Sequence, residues 1–289
     1  MLKLINDIFS HPANRNSRVA AIMRAVRWHL SKRLSGQPHD IPYHGKLLRC
    51  HPTSHSASRA IYFSCLPDYR EMRFILDFLR PGDNFIDAGA NIGLYTLLAL
   101  SVVGDNGHVY AFEPNPHVAA MLRESLRLNS ASNVTIHEIG LADVDGSAAF
   151  SADGDDCTSH IVASSTTANT EILIARLDRI LDDIPYAMAK FDIEGYEPFA
   201  IRGASQWTKT GNPPVMLIEM GGYSKRHGIS TSDFIQELEQ IGYFTAIYNP
   251  NTREIERTKK PWEIPTDNVL AIATERLAFV ADRLKGKSA

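Results

Sequence analysis

The chain is short of cysteine, of long apolar runs and, near its start, of acid. Three cysteines in 289 residues, Cys50, Cys65 and Cys157, are odd in number and lack metal-ligand spacing, which excludes a disulfide framework and reads as reduced thiols in a cytoplasmic protein. No apolar run approaches the roughly 18 residues of a membrane span; the longest, Leu94 to Val103, is broken by Thr96 and Ser101. The first residues lack the pattern of a secretory signal, and fixed-period repeats and low-complexity tracts are absent. A formal charge of -3 argues neither for nor against nucleic acid, and no nucleic-acid partner is expected. The apolar and charged fractions, 44% and 22%, are those of an ordinary globular chain.

No acid occurs between Ile8 and His39, while Arg15, Arg18, Arg24, Arg27, Lys32 and Arg33 are basic. Val19, Ile22, Met23, Val26 and Leu30 recur at helical spacing, which predicts an amphipathic helix within a basic extension over residues 1–45, ahead of a main domain over 46–289. Such a helix either packs its apolar stripe on the domain and leaves its arginines in water, or lies on an anionic membrane surface or acidic partner.

The dinucleotide fingerprint Gly-x-Gly-x-x-Gly is also missing, which disfavours a nicotinamide dehydrogenase. In its place stands Phe85-Ile86-Asp87-Ala88-Gly89-Ala90-Asn91-Ile92-Gly93, an apolar strand running through an acid and a glycine turn into a helix. Asp87 would repel a phosphate, so the turn suits a ligand with a cationic end. S-adenosylmethionine, with its ammonium and sulfonium groups, is such a ligand. A second strand, His108 to Phe112, ends on Glu113, 24 residues after Gly89 and close to the roughly 20 at which these folds place a ribose-binding carboxylate. Asp87, Gly89, Asn91, Gly93 and Glu113 are therefore cofactor-binding candidates. Asp143, after a third strand at Val134 to Glu138, is either an adenine contact or a turn residue.

A second group of acids follows the predicted strand Ala187 to Phe191. Alternation places Lys190, Asp192 and Glu194 on one side, and the next strand, Val215 to Glu219, also finishes on an acid before the loop holding His227. Methyl transfer to an alcohol needs a base or a metal that lowers the hydroxyl pKa, and Asp192, Glu194, Glu219 and His227 are the candidates. A base is favoured over a metal, with Mg²⁺ the first cation to test. The plainer alternative is a salt-bridge network with Lys190 and Arg226. Elsewhere, Pro52 argues against His51 and His55 as metal ligands, and Asp153-Gly154-Asp155-Asp156 lacks the rest of a calcium loop.

Pro81-Gly82-Asp83, Asp87 to Gly93, Phe112-Glu113-Pro114 and Lys190-Phe191-Asp192-Ile193-Glu194-Gly195-Tyr196-Glu197 together resemble the FkbM-type S-adenosylmethionine-dependent methyltransferases, over about residues 66 to 220. The family often has a Tyr-Glu pair before the first core helix, whereas here Arg70 follows Tyr69 and Glu71 comes one place later. The resemblance implies a Rossmann-like class I α/β fold: a mostly parallel seven-stranded sheet with helices on both faces, joined here by the basic N-terminal helix and small β additions. It also implies O-methylation of a hydroxyl, on a sugar of a bacterial glycan or glycolipid or on a related secondary metabolite. N-methylation of a small molecule, or a non-catalytic cofactor-binding role in a glycan-assembly complex, are the competing readings.

Further elements expected from the pattern are strands at Lys46 to Cys50 and Ile61 to Cys65, a helix over Glu71 to Leu79, and hairpin turns at Gly146 and Gly154. A helix over Ser232 to Ile241 and strands at Tyr243 to Tyr248 and Asn268 to Thr274 complete the expected sheet.

Overall fold

The computed structural model describes residues 2–152, 159–162, 170–260, 263 and 267–286. The acid-rich turn around Gly154, and Cys157, lie outside the described residues. Eight strands form the main sheet: β1 (Asn84–Ala88), β2 (His108–Phe112), β3 (Val134–His137), β4 (Met188–Phe191), β5 (Val215–Glu219), β6 (Tyr243–Asn249), β7 (Glu254–Arg257) and β8 (Asn268–Ala273). Their order is β7-β6-β8-β5-β4-β1-β2-β3. The five strands from β3 to β5 pair in parallel, and β8, inserted between β5 and β6, runs antiparallel to both.

The sheet thus has eight strands instead of seven. The additional strand, β7, pairs antiparallel with the outer side of β6 as an edge hairpin. Its residues Glu254, Ile255, Glu256 and Arg257 are largely solvated, so they carry no apolar alternation to announce a strand.

Both faces of the sheet are covered, which is why its central strands read as unbroken apolar runs. Phe85, Val109, Met188 and Leu217 face one layer, with the helices Tyr69–Phe78, Leu94–Val103, Pro116–Leu128 and Leu277–Lys285. Ile86, Ala189, Met216 and Ile218 face the other, with Glu197–Arg202 and Thr231–Gln240. The Leu94–Val103 helix is apolar nearly all round because it is sandwiched: β1 and β2 lie beneath it, and the Tyr69–Phe78 helix and a hairpin, His39–Tyr43 with Lys46–Cys50, lie over it. Tyr43 of that hairpin donates its hydroxyl to the carbonyl of Leu94 at 2.9 Å. A second sheet, built from Gly140–Leu141, Thr170–Ala175, Gly146–Ser151 and His160–Ile161 in that order, supplies the small β addition.

The expected strand at Ile61 to Cys65 is instead the end of a helix, His55–Tyr62. Ser54 caps it by accepting from the Ala57 amide at 2.9 Å, and Ala57, Ala60 and Ile61 form its buried face. Gly146 opens a strand instead of turning one. The N-terminal helices Leu2–Ser10 and Arg18–Leu34 join the same buried layer through Ile8, Ala21, Ala25 and Trp28.

Candidate active site

The chain leaves β1 toward β2 and β3 on one side and returns to β4 on the other, so the order reverses between β1 and β4. A crevice opens there at the carboxyl ends of the strands. A cavity of about 950 Å³ occupies it, lined by the loops after β1, β2 and β4, by the last residue of β5 and by parts of the N-terminal segment and the small sheet.

Gly89 marks the closest approach of the two halves. Its φ is +76°, and a Cβ built there would stand 1.9 Å from the carbonyl oxygen of Asp192. Only glycine lets the loop after β1 lie against the loop after β4. The amides of Gly89 and Ala90 both donate to the Phe112 carbonyl at 3.0 Å, which ties the same turn to the end of β2. Gly93, with φ +99°, precedes the Leu94–Val103 helix behind the cavity wall, and a Cβ built there would meet the Leu122 side chain at 2.5 Å.

Glu113 is buried on the cavity wall. One carboxylate oxygen accepts from the Asn91 amide at 3.0 Å and the other from the Asn115 amide at 2.9 Å. Burial pushes its pKa up to about 7 against those two hydrogen bonds. Asn91 sits in the left-handed region, φ +51°, with its amide aimed at the carboxylate. Asp87 is fully buried and stands behind the wall; it accepts from the Thr96 hydroxyl at 2.6 Å and lies 3.7 Å from the Lys190 ammonium. Burial raises its pKa, opposed first by Lys190.

Asp192, Glu194 and Glu219 converge, each offering a carboxylate oxygen within 4.8 Å of the others, and all three line the cavity. Alternation along a strand is not what assembles them. β4 ends at Phe191, and the chain then turns, with Glu194 at φ +58° and Gly195 at +102°. Glu197 holds that turn by accepting from the Ile193 and Gly195 amides at 2.9 and 3.0 Å. A Cβ on Gly195 would meet the Tyr223 backbone at 2.7 Å.

Lys190 is the hub beneath the acids. Its ammonium lies 3.3 Å from Asp192, donates to the Gly89 carbonyl at 3.2 Å and stacks 4.8 Å from the centre of the Tyr95 ring. Burial pulls its pKa down, but Asp192 and Asp87 outweigh burial and leave it raised. The ion-pair reading therefore holds for Asp192. Glu194 and Glu219 have no ion pair among the described residues, and one Glu219 oxygen is buried without a hydrogen-bond partner. Burial, then Asp192, moves Glu194 up to about 7. Burial, then Asp192 and its other acidic neighbours, moves Glu219 up further.

Besides Asp87 and Gly93, two further candidates fall outside the cavity wall. His227 ends a short 3-10 turn, Tyr223–His227, and its ring packs edge-on against Tyr196 at 5.0 Å. Asp143 is not on the wall, which at that strand end is made by Ile139, Gly140 and Leu141. Sequence reasoning found β6 but missed β7 and the hairpin they form, whose Asn249, Asn251 and Glu256 line the cavity, and it missed His11 and Pro12 from the N-terminal segment. Arg70, where the resemblance has an acid, also lines it, as does Glu71, and one Arg70 guanidinium nitrogen has no partner among the described residues. His51 pairs with Glu124 at 2.9 Å, and neither lines the cavity.

A reversed parallel sheet with glycine, a buried glutamate and an acidic rim at its switch point defines a ligand-binding α/β enzyme scaffold. The sequence profile described as the methyltransferase FkbM domain matches residues 87–245, more than half of the chain. Methyltransferase 1 from Beauveria bassiana (strain ARSEF 2860) is 27% identical over 198 residues, covering 59% of this chain and 76% of that protein. Among solved structures, a precorrin-6y C5,15-methyltransferase from Geobacter metallireducens GS-15 superposes with a TM-score of 0.42 at 16% identity, over 71% of this chain and 89% of that one. The O-methyltransferase TomG from Streptomyces achromogenes, in complex with SAM, superposes at 0.41 and 14% identity, over 72% and 80%. Those superpositions are loose, and the topology rests on the strand pairings themselves. The chain belongs to the FkbM methyltransferase family.

Proposed function

We propose that this methyltransferase uses S-adenosylmethionine to methylate a hydroxyl of a sugar-like acceptor, with Glu194 as the base and Glu219 as its proton-sharing neighbour. The observation that carries the reading is the pair of cavity-lining glutamates without ion pairs among the described residues, one with a pKa near 7, above a lysine that pairs with Asp192 and Asp87.

The residues present fit the cofactor. Glu113 keeps lone pairs beyond those used by the Asn91 and Asn115 amides, enough to accept from a ribose diol. The Gly89 turn lets a ligand lie against the backbone, and Leu141 and Ile139 offer an apolar wall for a base. Asp87 acts at one remove, by holding Lys190 in place. When bound, the cofactor supplies an electrophilic methyl group on a sulfonium.

The chain's own part is to orient the acceptor and take its proton. Glu194, half ionised near neutrality, accepts the hydroxyl proton as the oxygen attacks. Glu219, whose pKa is raised by burial and by its acidic neighbours, stands within 4.8 Å of Glu194 and avoids placing a second full negative charge beside it. Asn249, Asn251, Glu256 and Asp267 line the same cavity, a set of carboxamides and carboxylates suited to several hydroxyls at once. Lys190 beside Asp192 also argues for a base over Mg²⁺ at the acid trio, since its ammonium already occupies one side of the site a cation would share.

The test is calorimetric titration with S-adenosylmethionine, followed by methyl transfer to a panel of glycans and glycolipids. Micromolar cofactor binding with transfer to hydroxyl oxygen supports the reading. Transfer to nitrogen, or cofactor binding without turnover on any acceptor, overturns it.

A further inference from the structure

The Arg18–Leu34 helix is amphipathic, but it is seated the other way round from the arrangement its sequence suggests. Ala21, Ala25 and Trp28 are the residues it buries, and the Trp28 indole donates to Ser58 at 2.9 Å. Val19, Met23, Val26, Leu30 and Leu34 are exposed, at 75%, 49%, 47%, 52% and 84%. At about 100° per residue these five fall within a stripe roughly 80° wide, on the side opposite the buried one. The preceding helix, Leu2–Ser10, adds exposed Ile5 and Phe9, one turn apart. The Arg18 guanidinium lies 4.5 Å from the centre of the Phe9 ring and links the two helices.

We propose that these two helices form a face that docks on an anionic phospholipid bilayer. The flanking charge selects that occupant. Arg18, Arg27 and Arg33 are exposed beside the stripe, and no acid occurs between Ile8 and His39. Cations beside an apolar strip match phosphate headgroups above acyl chains. A second copy of this face would bring the same arginines together. None of the described helices is long and apolar enough to cross a membrane, so the contact is interfacial, along a 17-residue helix. His11 and Pro12, which join the two helices, line the active-site cavity, so docking and the cavity share one segment. A lipid-borne acceptor follows only if the proposed function is right; docking stands without it.

The test is co-sedimentation of the full chain with vesicles of phosphatidylcholine, with and without phosphatidylglycerol. Binding is expected only with the anionic lipid and weakens as salt rises. It falls at least about tenfold in Met23→Asp/Leu30→Asp and in Arg27→Glu/Arg33→Glu. All four side chains are exposed, so melting temperature and cofactor affinity stay as in the wild type, which separates this test from that of the cofactor site. No sedimentation at low salt, equal binding to both vesicles, or wild-type binding in both variants overturns the proposal. So does a dimer that Met23→Asp/Leu30→Asp dissolves in a chain that ignores vesicles.

Discussion

Replacing Glu194 by Gln removes a carboxylate while keeping its volume, at a side chain whose pKa stands at about 7. Burial, then Asp192, places it there, with Arg226 and Lys190 opposing. With that pKa, about a tenth of the carboxyl is ionised at pH 6 and about nine-tenths at pH 8, so wild-type kcat should fall roughly tenfold between pH 8 and pH 6. A positioned base contributes on the order of 10²–10⁴ in rate, so Glu194→Gln should lose that much in kcat and lose the slope below pH 8 as well. Cofactor affinity, measured by calorimetry, should not move, because Glu113 and the Gly89 turn are the groups assigned to it. The assay is initial rate of methyl transfer across pH at saturating acceptor. Wild-type turnover in the variant, or a variant with the wild-type pH slope, refutes Glu194 as the base.

Gly89→Ala should destabilise the chain by on the order of 2 kcal/mol and abolish cofactor binding, because a left-handed backbone and a contact at 1.9 Å with Asp192 must both be relieved; a wild-type melting curve would count against this. Glu113→Ala should weaken cofactor binding more than tenfold and leave two amides without acceptors, checked by calorimetry. For Glu219 the folded pKa is raised above the unfolded one, so its favourable contribution is present below about pH 4.5 and is lost as pH rises. Glu219→Gln should therefore raise the melting temperature at pH 8 and change it little at pH 5; an equal shift at both would show that charge burial is not the cause. EDTA should leave activity unchanged, and loss restored by Mg²⁺ would move the acid trio from base to metal site.

The glycine turn and the buried glutamate were legible because their signals are local. An apolar strand, an acid and two glycines fix a turn, and Gly89 and Glu113 both reach the cavity wall. The acid trio was legible in membership but not in cause, since Glu194 arrives through a left-handed turn that Glu197 clamps from four residues along. His227 and Asp143 were nominated by nearness in sequence to strand ends, and neither lines the cavity. β6 was legible, but its partner β7 left no trace because an edge strand solvated on both faces has no period to read.

The Arg18–Leu34 helix shows why a helical pattern does not settle which face is buried. Counting apolar residues favours the stripe of Val19, Met23, Val26 and Leu30, yet the domain takes the stripe of Ala21, Ala25 and Trp28. Two alanines let the helix approach closely, and one tryptophan with a hydrogen-bonded ring nitrogen fills the gap beyond them against the Ser-rich helix His55–Tyr62. Complementarity of shape therefore outweighs the greater apolar area of the other side. A chain under no other demand would place polar residues on the face left over. This one places five large apolar residues there and lines them with arginine, which is the physical ground for the proposal that this face docks on a lipid surface.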